Sequence, residues 1–362
     1  MNVAVSRREF LMKAGAGAVT GAVLTAAGSG RPAAAQSVAA RSAVARPADA
    51  GAGDARAGDP KATEGMDPKA RRVVDPKAPA AAAGTFWIGG DLEVSRLGFG
   101  AMRVTGDGIW GEPPDVQVAY AVLRRAVALG SNLIDTADAY GPNVSERLIR
   151  EALYPYPRGL LIATKGGQVR PSREQWVPDG RPEHLREACE ASLGRLKLER
   201  IDLYQLHRPD PKVPYEDSVG ELARLQKEGK IRHVGVSNVD VQQLAKARAI
   251  VKVVSVQNRY NVADRASDDV LAVCEREKIA FLPWGPLAQR AQASATPDPH
   301  LAALEAIARE RNIDINQAAL AWLLARSPVM LPIPGTSKVE HLEDNVGAAK
   351  IKLTSAEMER VG

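Results

Sequence analysis

The chain has 362 residues, 45% of them hydrophobic and 25% charged, which is ordinary globular composition with length enough for a large core. Its formal charge of +5 sits in the tail: residues 1–85 hold 12 Lys/Arg against 7 Asp/Glu, and the remaining residues hold 36 of each. That distribution argues against a nucleic-acid-binding folded domain, and Cys189 and Cys274, the only cysteines, lie outside any CxxC or Cys/His cluster and imply no zinc site or disulfide framework.

At the N-terminus, Ser6-Arg-Arg-Glu-Phe-Leu-Met-Lys13 resembles a twin-arginine export signal. A weakly apolar run from Ala14 to Ala27 follows, and Ala33-Ala34-Ala35 before Gln36 fits a small-residue cleavage site. The expectation is a signal over residues 1–35 read by the twin-arginine export machinery, with a periplasmic or exported destination. A disordered Ala-rich leader on a cytoplasmic protein is the alternative. The run is too short and too rich in Ala and Gly for a stable membrane anchor. Residues 36–84 are Ala, Pro, Gly, Asp and Arg with almost no large apolar side chain, so they read as a disordered linker. Inside it Asp-Pro-Lys-Ala recurs at 59, 67 and 75, too short a unit for a solenoid.

The folded domain is expected over residues 85–362. A hairpin comes first, around Gly89-Gly90. Apolar β-branched runs then alternate with helical stretches. The predicted strands are 97–100, 132–135, 160–164, 201–206, 231–236, 253–257, 280–283 and 329–333. Predicted helices lie at 115–129, 145–153, 182–196, 216–228, 241–250, 267–277, 299–311 and 315–326, with 338–348 and 354–361 closing the chain. This order and size predict a (β/α)8 TIM barrel with an N-terminal hairpin and extra C-terminal helices. An open doubly wound sheet competes, but Leu97-Gly-Phe-Gly100 has no helix opening behind it. Ser337/Glu340, Asp314/Gln317 and Thr354/Glu357 have capping-box spacing, and Asp298-Pro299 offers a cap with Pro at the first helical position.

In such a barrel the chemistry gathers at the carboxyl ends of the strands. Those ends carry Asp135, Lys165, His207, Ser237-Asn238, Gln257, Trp284 and Gly335-Thr336-Ser337, and Tyr140 follows Asp135 by five residues. Each alone has a structural reading as a helix cap, a solvated strand end or a loop pin; their common placement points to a site. An ammonium beside a phenol favours phenolate and would lower its pKa, a carboxylate would keep the ammonium charged, and an imidazole could orient a substrate oxygen. A proton donor of this kind needs an oxygen gaining negative charge, and with no activated nucleophile or metal set visible the electron pair should come from a cofactor. A Schiff-base lysine at 165 is a competing reading, as is a binding module without turnover.

The chain from about residue 85 onward resembles the aldo/keto reductases. The resemblance is carried by Ile-Asp-Thr-Ala-Asp-Ala-Tyr-Gly141, Ala-Thr-Lys165, Tyr-Gln-Leu-His-Arg-Pro-Asp210, Lys-Ile-Arg-His-Val-Gly-Val-Ser-Asn238, Val-Gln-Asn-Arg-Tyr-Asn261 and Ile-Pro-Gly-Thr-Ser-Lys338. It implies hydride transfer from NADPH to an aldehyde or ketone, with Tyr140 as acid, Lys165 and Asp135 tuning it and His207 orienting the carbonyl. It further implies that Ser237, Asn238 and Gln257 bind the nicotinamide carboxamide and that Trp284 stacks on the ring, within the stretch Trp284-Gly285-Pro286-Leu287. Gly335, Thr336, Ser337, Lys338 and His341 would face the adenosine 2′-phosphate, with Asn345 near the adenine. His341 stands where many relatives have Arg, which leaves NADH open as a second cofactor. Residues 102–168 most resemble a bacterial subgroup that includes pyridoxal reductases. Substrate choice would fall to loops 104–114, 166–180, 208–215 and 288–298, where Trp110 and Trp176 either line an apolar pocket or anchor the loops.

Overall fold

The computed structural model describes residues 73–287 and 298–362. The expected export signal, most of the expected linker and nearly all of the fourth rim loop lie outside them.

The first described element is a 3₁₀ turn, Pro79–Ala83. It leads into the antiparallel hairpin β1 (Thr85–Ile88) and β2 (Leu92–Ser95). The barrel then runs β3 (Phe99–Gly100), α1 (Val116–Ala128), β4 (Leu133–Asp135), α2 (Val144–Leu153) and β5 (Leu161–Gly166). A small rim ribbon, β6 (Gln168–Val169) with β7 (Val177–Pro178), interrupts it before α3 (Pro182–Leu196). The alternation resumes with β8 (Ile201–Leu206), α4 (Tyr215–Lys227), β9 (Ile231–Ser237), α5 (Val241–Ile250), β10 (Val253–Gln257), α6 (Asp268–Glu277) and β11 (Ala280–Phe281). Helices α7 (Pro299–Glu310), α8 (Ile315–Arg326), α9 (Val339–Gly347) and α10 (Ser355–Val361) complete the chain.

Seven strands form one parallel sheet in the order β11-β10-β9-β8-β5-β4-β3. The eighth predicted strand is present as extended chain without a regular ladder, and its sequence explains why. Pro332 and Pro334 have no N–H to give. They only accept, from Gly98 N at 3.0 Å and Gly100 N at 3.3 Å, while Phe281 N to Val329 O and Leu331 N to Phe281 O, both 2.8 Å, hold the other side. These bonds close the (β/α)8 barrel.

Strand alternation sorts the side chains. Leu133, Leu161, Ala163, Leu203, Val254, Ala280 and Leu331 fill the lumen, and Ile88 and Val94 of the hairpin plug it from below. The outward residues of the same strands, such as Ile134, Ile162, Tyr204 and Val234, pack under the helices. The hairpin is pinned to β9 by charge: Asp91 Oδ1 lies 2.7 Å from His233 Nε2 and Asp91 Oδ2 2.6 Å from Arg232 Nη2. Partial burial works against the Asp91 carboxylate, but the His233 and Arg232 bonds outweigh it and bring Asp91 to about 2 from an ordinary 3.8. A depressed carboxylate adds stability that is present above the unfolded pKa and lost as pH falls through the folded one. Asp91→Asn should therefore lower the melting temperature at pH 5 and bring the mutant and wild-type curves together toward pH 2; a constant offset at every pH would count against this pairing.

Three expectations need correcting. The linker reading to residue 84 fails at 73–84, which packs on the barrel. Val73 N and Val74 N donate to Glu93 Oε2 at 2.8 and 3.3 Å, Ala80 N donates to Leu129 O at 2.9 Å, and Ala80 is fully buried. Small side chains bury little area, but they let the backbone come close enough to find these partners. The Ser337/Glu340 capping box also fails. Helix α9 starts at Val339 with Lys338 at the cap position and no side-chain cap bond. Thr354/Glu357 is a capping box, Asp298 caps α7, and Asp314 caps α8 singly because Gln317 turns away to Asp344 O at 2.9 Å. A box not anticipated, Asp240/Gln243, opens α5. Both cysteines are buried and free.

Candidate active site

Three consecutive barrel strands deliver the four expected groups to one rim. Asp135 ends β4, Lys165 lies one residue from the end of β5, and His207 is the first residue past β8. The turn carrying Tyr140 folds back because its own backbone is tied down: Thr136 N donates to Ala163 O at 2.8 Å and Ser145 N to Tyr140 O at 3.1 Å. Gly141 follows at φ 96, where a Cβ would come within 2.4 Å of Val144 Cβ.

Lys165 is the hub. Its Nζ lies 2.6 Å from Asp135 Oδ1, 2.9 Å from Thr136 O and 3.1 Å from Tyr140 Oη, and its side chain is wholly buried. Three acceptors satisfy the three ammonium protons, which is the condition for holding a charge out of water. Burial works against the Lys165 ammonium, but Asp135 and Tyr140 outweigh it and hold its pKa above the usual value. Asp135 is in turn fixed on its other oxygen by Gln257 Nε2 at 2.8 Å and Gln205 Nε2 at 3.2 Å.

The Tyr140 phenol departs from expectation. Its pKa is raised, because burial disfavours phenolate by more than the Lys165 ammonium favours it, and Asp135 adds to the rise. Tyr140 is a protonated phenol in the resting site rather than one already acidified. His207 is pushed well below the usual imidazole range by burial, with Lys165 and Arg208 adding to it. It is therefore neutral, its ring stands 5.8 Å from that of Tyr140 at 84°, and its Nδ1 has no partner among the described residues. Behind these groups lies a second buried polar set. Glu146 takes bonds from Thr164 Oγ1 and Arg195 Nε, both at 2.6 Å, and burial beside Glu146 pushes Asp138 up to about 8.

Tyr140 and His207 open onto a cavity of about 780 Å³. Asp135, Ser237, Asn238, Gln257, Trp284, Gly285, Pro286, Leu287 and Gly335 also line it. Lys165 lies beneath Tyr140 and not in the lining. Thr336, Ser337, Lys338, His341 and Asn345 continue from Gly335 but are not in the lining either; Ser337, Lys338 and His341 are exposed, Thr336 and Asn345 buried. At Gly335 a Cβ would sit 2.5 Å from Gly100 O, so only glycine lets the first and last strands approach here.

The amide-bearing residues have more structural work than their sequence suggests. Asn238, at φ 58, donates to His207 O and Ser237 Oγ, both at 3.0 Å, and accepts from Trp284 Nε1 at 3.1 Å, so both ends of its amide are committed. Ser237 Oγ donates to Gln257 O at 2.6 Å. Gln257 Nε2 serves Asp135, and its amide oxygen has no partner among the described residues. Sequence reasoning missed Gln205 and Thr136. Gln205 had a signal: it shares the inward face of β8 with Leu203, a polar residue in a lumen register. Thr136 acts through its carbonyl, which no side-chain pattern reveals.

Barrel and site together are those of an oxidoreductase. The chain belongs to the aldo/keto reductase family, whose profile matches residues 96–362. It is 53% identical over 276 residues to an uncharacterized oxidoreductase of Schizosaccharomyces pombe, covering 76% of this chain and 88% of that one. It is 42% identical over 279 residues to pyridoxine 4-dehydrogenase of Escherichia coli, covering 75% and 95%. An aldo-keto reductase from Klebsiella pneumoniae solved in complex with NADPH superposes with a TM-score of 0.63 at 26% identity, covering 76% of this chain and 93% of that one.

Proposed function

We propose that this protein reduces aldehyde or ketone carbonyls to alcohols with NADPH, Tyr140 giving the proton. The observation that carries the reading is the 3.1 Å contact of Lys165 Nζ with Tyr140 Oη at the floor of the cavity. The chain's residues suit a dinucleotide. Among the described residues, Trp284 offers a flat face, Gln257 an amide oxygen without a partner, and α9 a first turn without a side-chain cap. Lys338 and His341, both exposed, stand at that helix start and suit a 2′-phosphate.

NADPH, when bound, supplies the hydride that attacks the carbonyl carbon. The neutral His207 holds the carbonyl oxygen. As negative charge develops there, Tyr140 Oη gives up its proton and the C=O becomes C–OH. The phenolate so formed lies beside the Lys165 ammonium, which Asp135 keeps in place. Burial that raises the phenol in the resting site also strengthens this ion contact once charge appears.

The test is oxidation of NADPH and NADH against a carbonyl panel that includes pyridoxal, the product side of the reaction named for the Escherichia coli relative. Turnover of at least one aldehyde, faster with NADPH, is expected. Binding of NADPH without turnover of any panel member would reduce the chain to a cofactor-binding module.

A further inference from the structure

One buried cation near the site has no part in that chemistry. Arg170 follows β6 and is only 7% exposed. Among the described residues, every hydrogen bond it makes ends on a backbone carbonyl. Nε reaches Gln175 O at 3.1 Å, Nη1 reaches Ile109 O at 3.0 Å, and Nη2 reaches Gly108 O at 3.3 Å and also Arg173 O. Its guanidinium carbon lies 3.7 Å from the ring centre of Trp176 and 5.4 Å from that of Trp110. A planar fork within reach of two indoles, bonded to two different loops, is a latch that lysine cannot copy.

What the latch holds is the wall of the cavity. Ile109 and Trp176 both line it. Ile109 stands at φ 59, a left-handed conformation that a β-branched residue adopts only under constraint, and its carbonyl is the one Arg170 grips. Trp176 has its ring centre 6.4 Å from that of Tyr140 and 6.5 Å from that of His207, at 72° and 74°. Trp110, by contrast, is an anchor: it pairs with Gly141 and does not line the cavity.

We propose that Arg170 is a positioning residue for substrate recognition: by tying residues 108–110 to 173–176 it sets Ile109 and Trp176 beside Tyr140 and His207 and shapes the site for planar, ring-bearing carbonyl compounds. The proposal rests on the carbonyl-reductase reading. An indole backed by a guanidinium on one face gives a flat ring a surface to stack on, whereas a short aliphatic aldehyde gains little from it.

The experiment compares 4-nitrobenzaldehyde with propanal, at saturating NADPH, for wild type, Arg170→Met, Arg170→Lys and Trp176→Leu, with NADPH affinity by fluorescence quenching as the check on folding. All three variants should raise KM for the aromatic aldehyde about ten-fold more than for propanal, the change in kcat being smaller than that in KM. Equal shifts for the two substrates, or Arg170→Lys behaving as wild type, would overturn it. If Arg170→Met does not fold, Trp176→Leu and Arg170→Lys decide between the same outcomes. A wild type that turns over no member of the carbonyl panel, these two aldehydes included, sinks the reductase reading, whereas turnover of both with parallel losses sinks only this inference.

Discussion

Tyr140→Phe should lower kcat for carbonyl reduction by about 10²- to 10⁴-fold while leaving NADPH affinity nearly unchanged. The substitution removes one oxygen and keeps the ring that packs at 5.8 Å from His207 and 6.4 Å from Trp176, so the cavity wall survives. Lys165 keeps Asp135 and Thr136 O and loses only its third acceptor. The loss should therefore appear in the proton-transfer step. Because burial holds the wild-type phenol above its ordinary pKa, the reduction rate should show no loss of the donor through neutral and mildly alkaline pH. Near-normal turnover in Tyr140→Phe would mean that another group protonates the product.

Lys165→Met tests the charge at the centre of the site and should cost stability as well as activity. The substitution leaves Asp135 buried with its two glutamine donors and no cation. Breaking a buried ion pair on one side costs about 3–5 kcal/mol, and a fall in melting temperature on the order of 10 °C follows for a domain of this size. Turnover should fall too, since phenolate would form with no counter-charge. The discriminating measurement is the pair Asp135→Asn with Lys165→Met. If an orphaned carboxylate causes the instability, the double variant melts above Lys165→Met alone while remaining inactive. A double variant that melts as low as the two losses added together would show that the ion pair is not the source.

The elements that sequence reading caught are those whose signal is local. The helices of residues 182–196, 241–250 and 315–326 fall where the sequence puts them because each opens on a local start signal, Pro182, Asp240 or Asp314. That Asp135, Lys165 and His207 share one rim was legible because strand ends in a barrel are fixed points, and Tyr140 follows the first of them by one short turn. What escaped was set by distant backbone. Residues 73–84 look like a tether because their side chains are small, yet their partners are Glu93 and Leu129, which composition does not disclose. Asn238 reads as a ligand-binding amide, and only the fold reveals that Trp284 and His207 claim both its ends. The direction of the Tyr140 shift was misjudged for a related reason: the neighbouring lysine is visible in sequence, whereas the depth of burial that outweighs it is not. Arg170 carries no motif, and its meaning comes from two loops meeting around it.

The eighth strand has one more implication. A cask made of staves is only as tight as its last joint, and here that joint is fastened by Pro332 and Pro334, which receive bonds and return none. Amide exchange at Gly98 and Gly100 should therefore report the first loosening of the hoop. Gly100 and Gly335 border the same cavity, so a dinucleotide seated there lies across the junction. Under the proposed function, a bound cofactor should tighten the joint, and resistance to proteolysis should rise with cofactor occupancy.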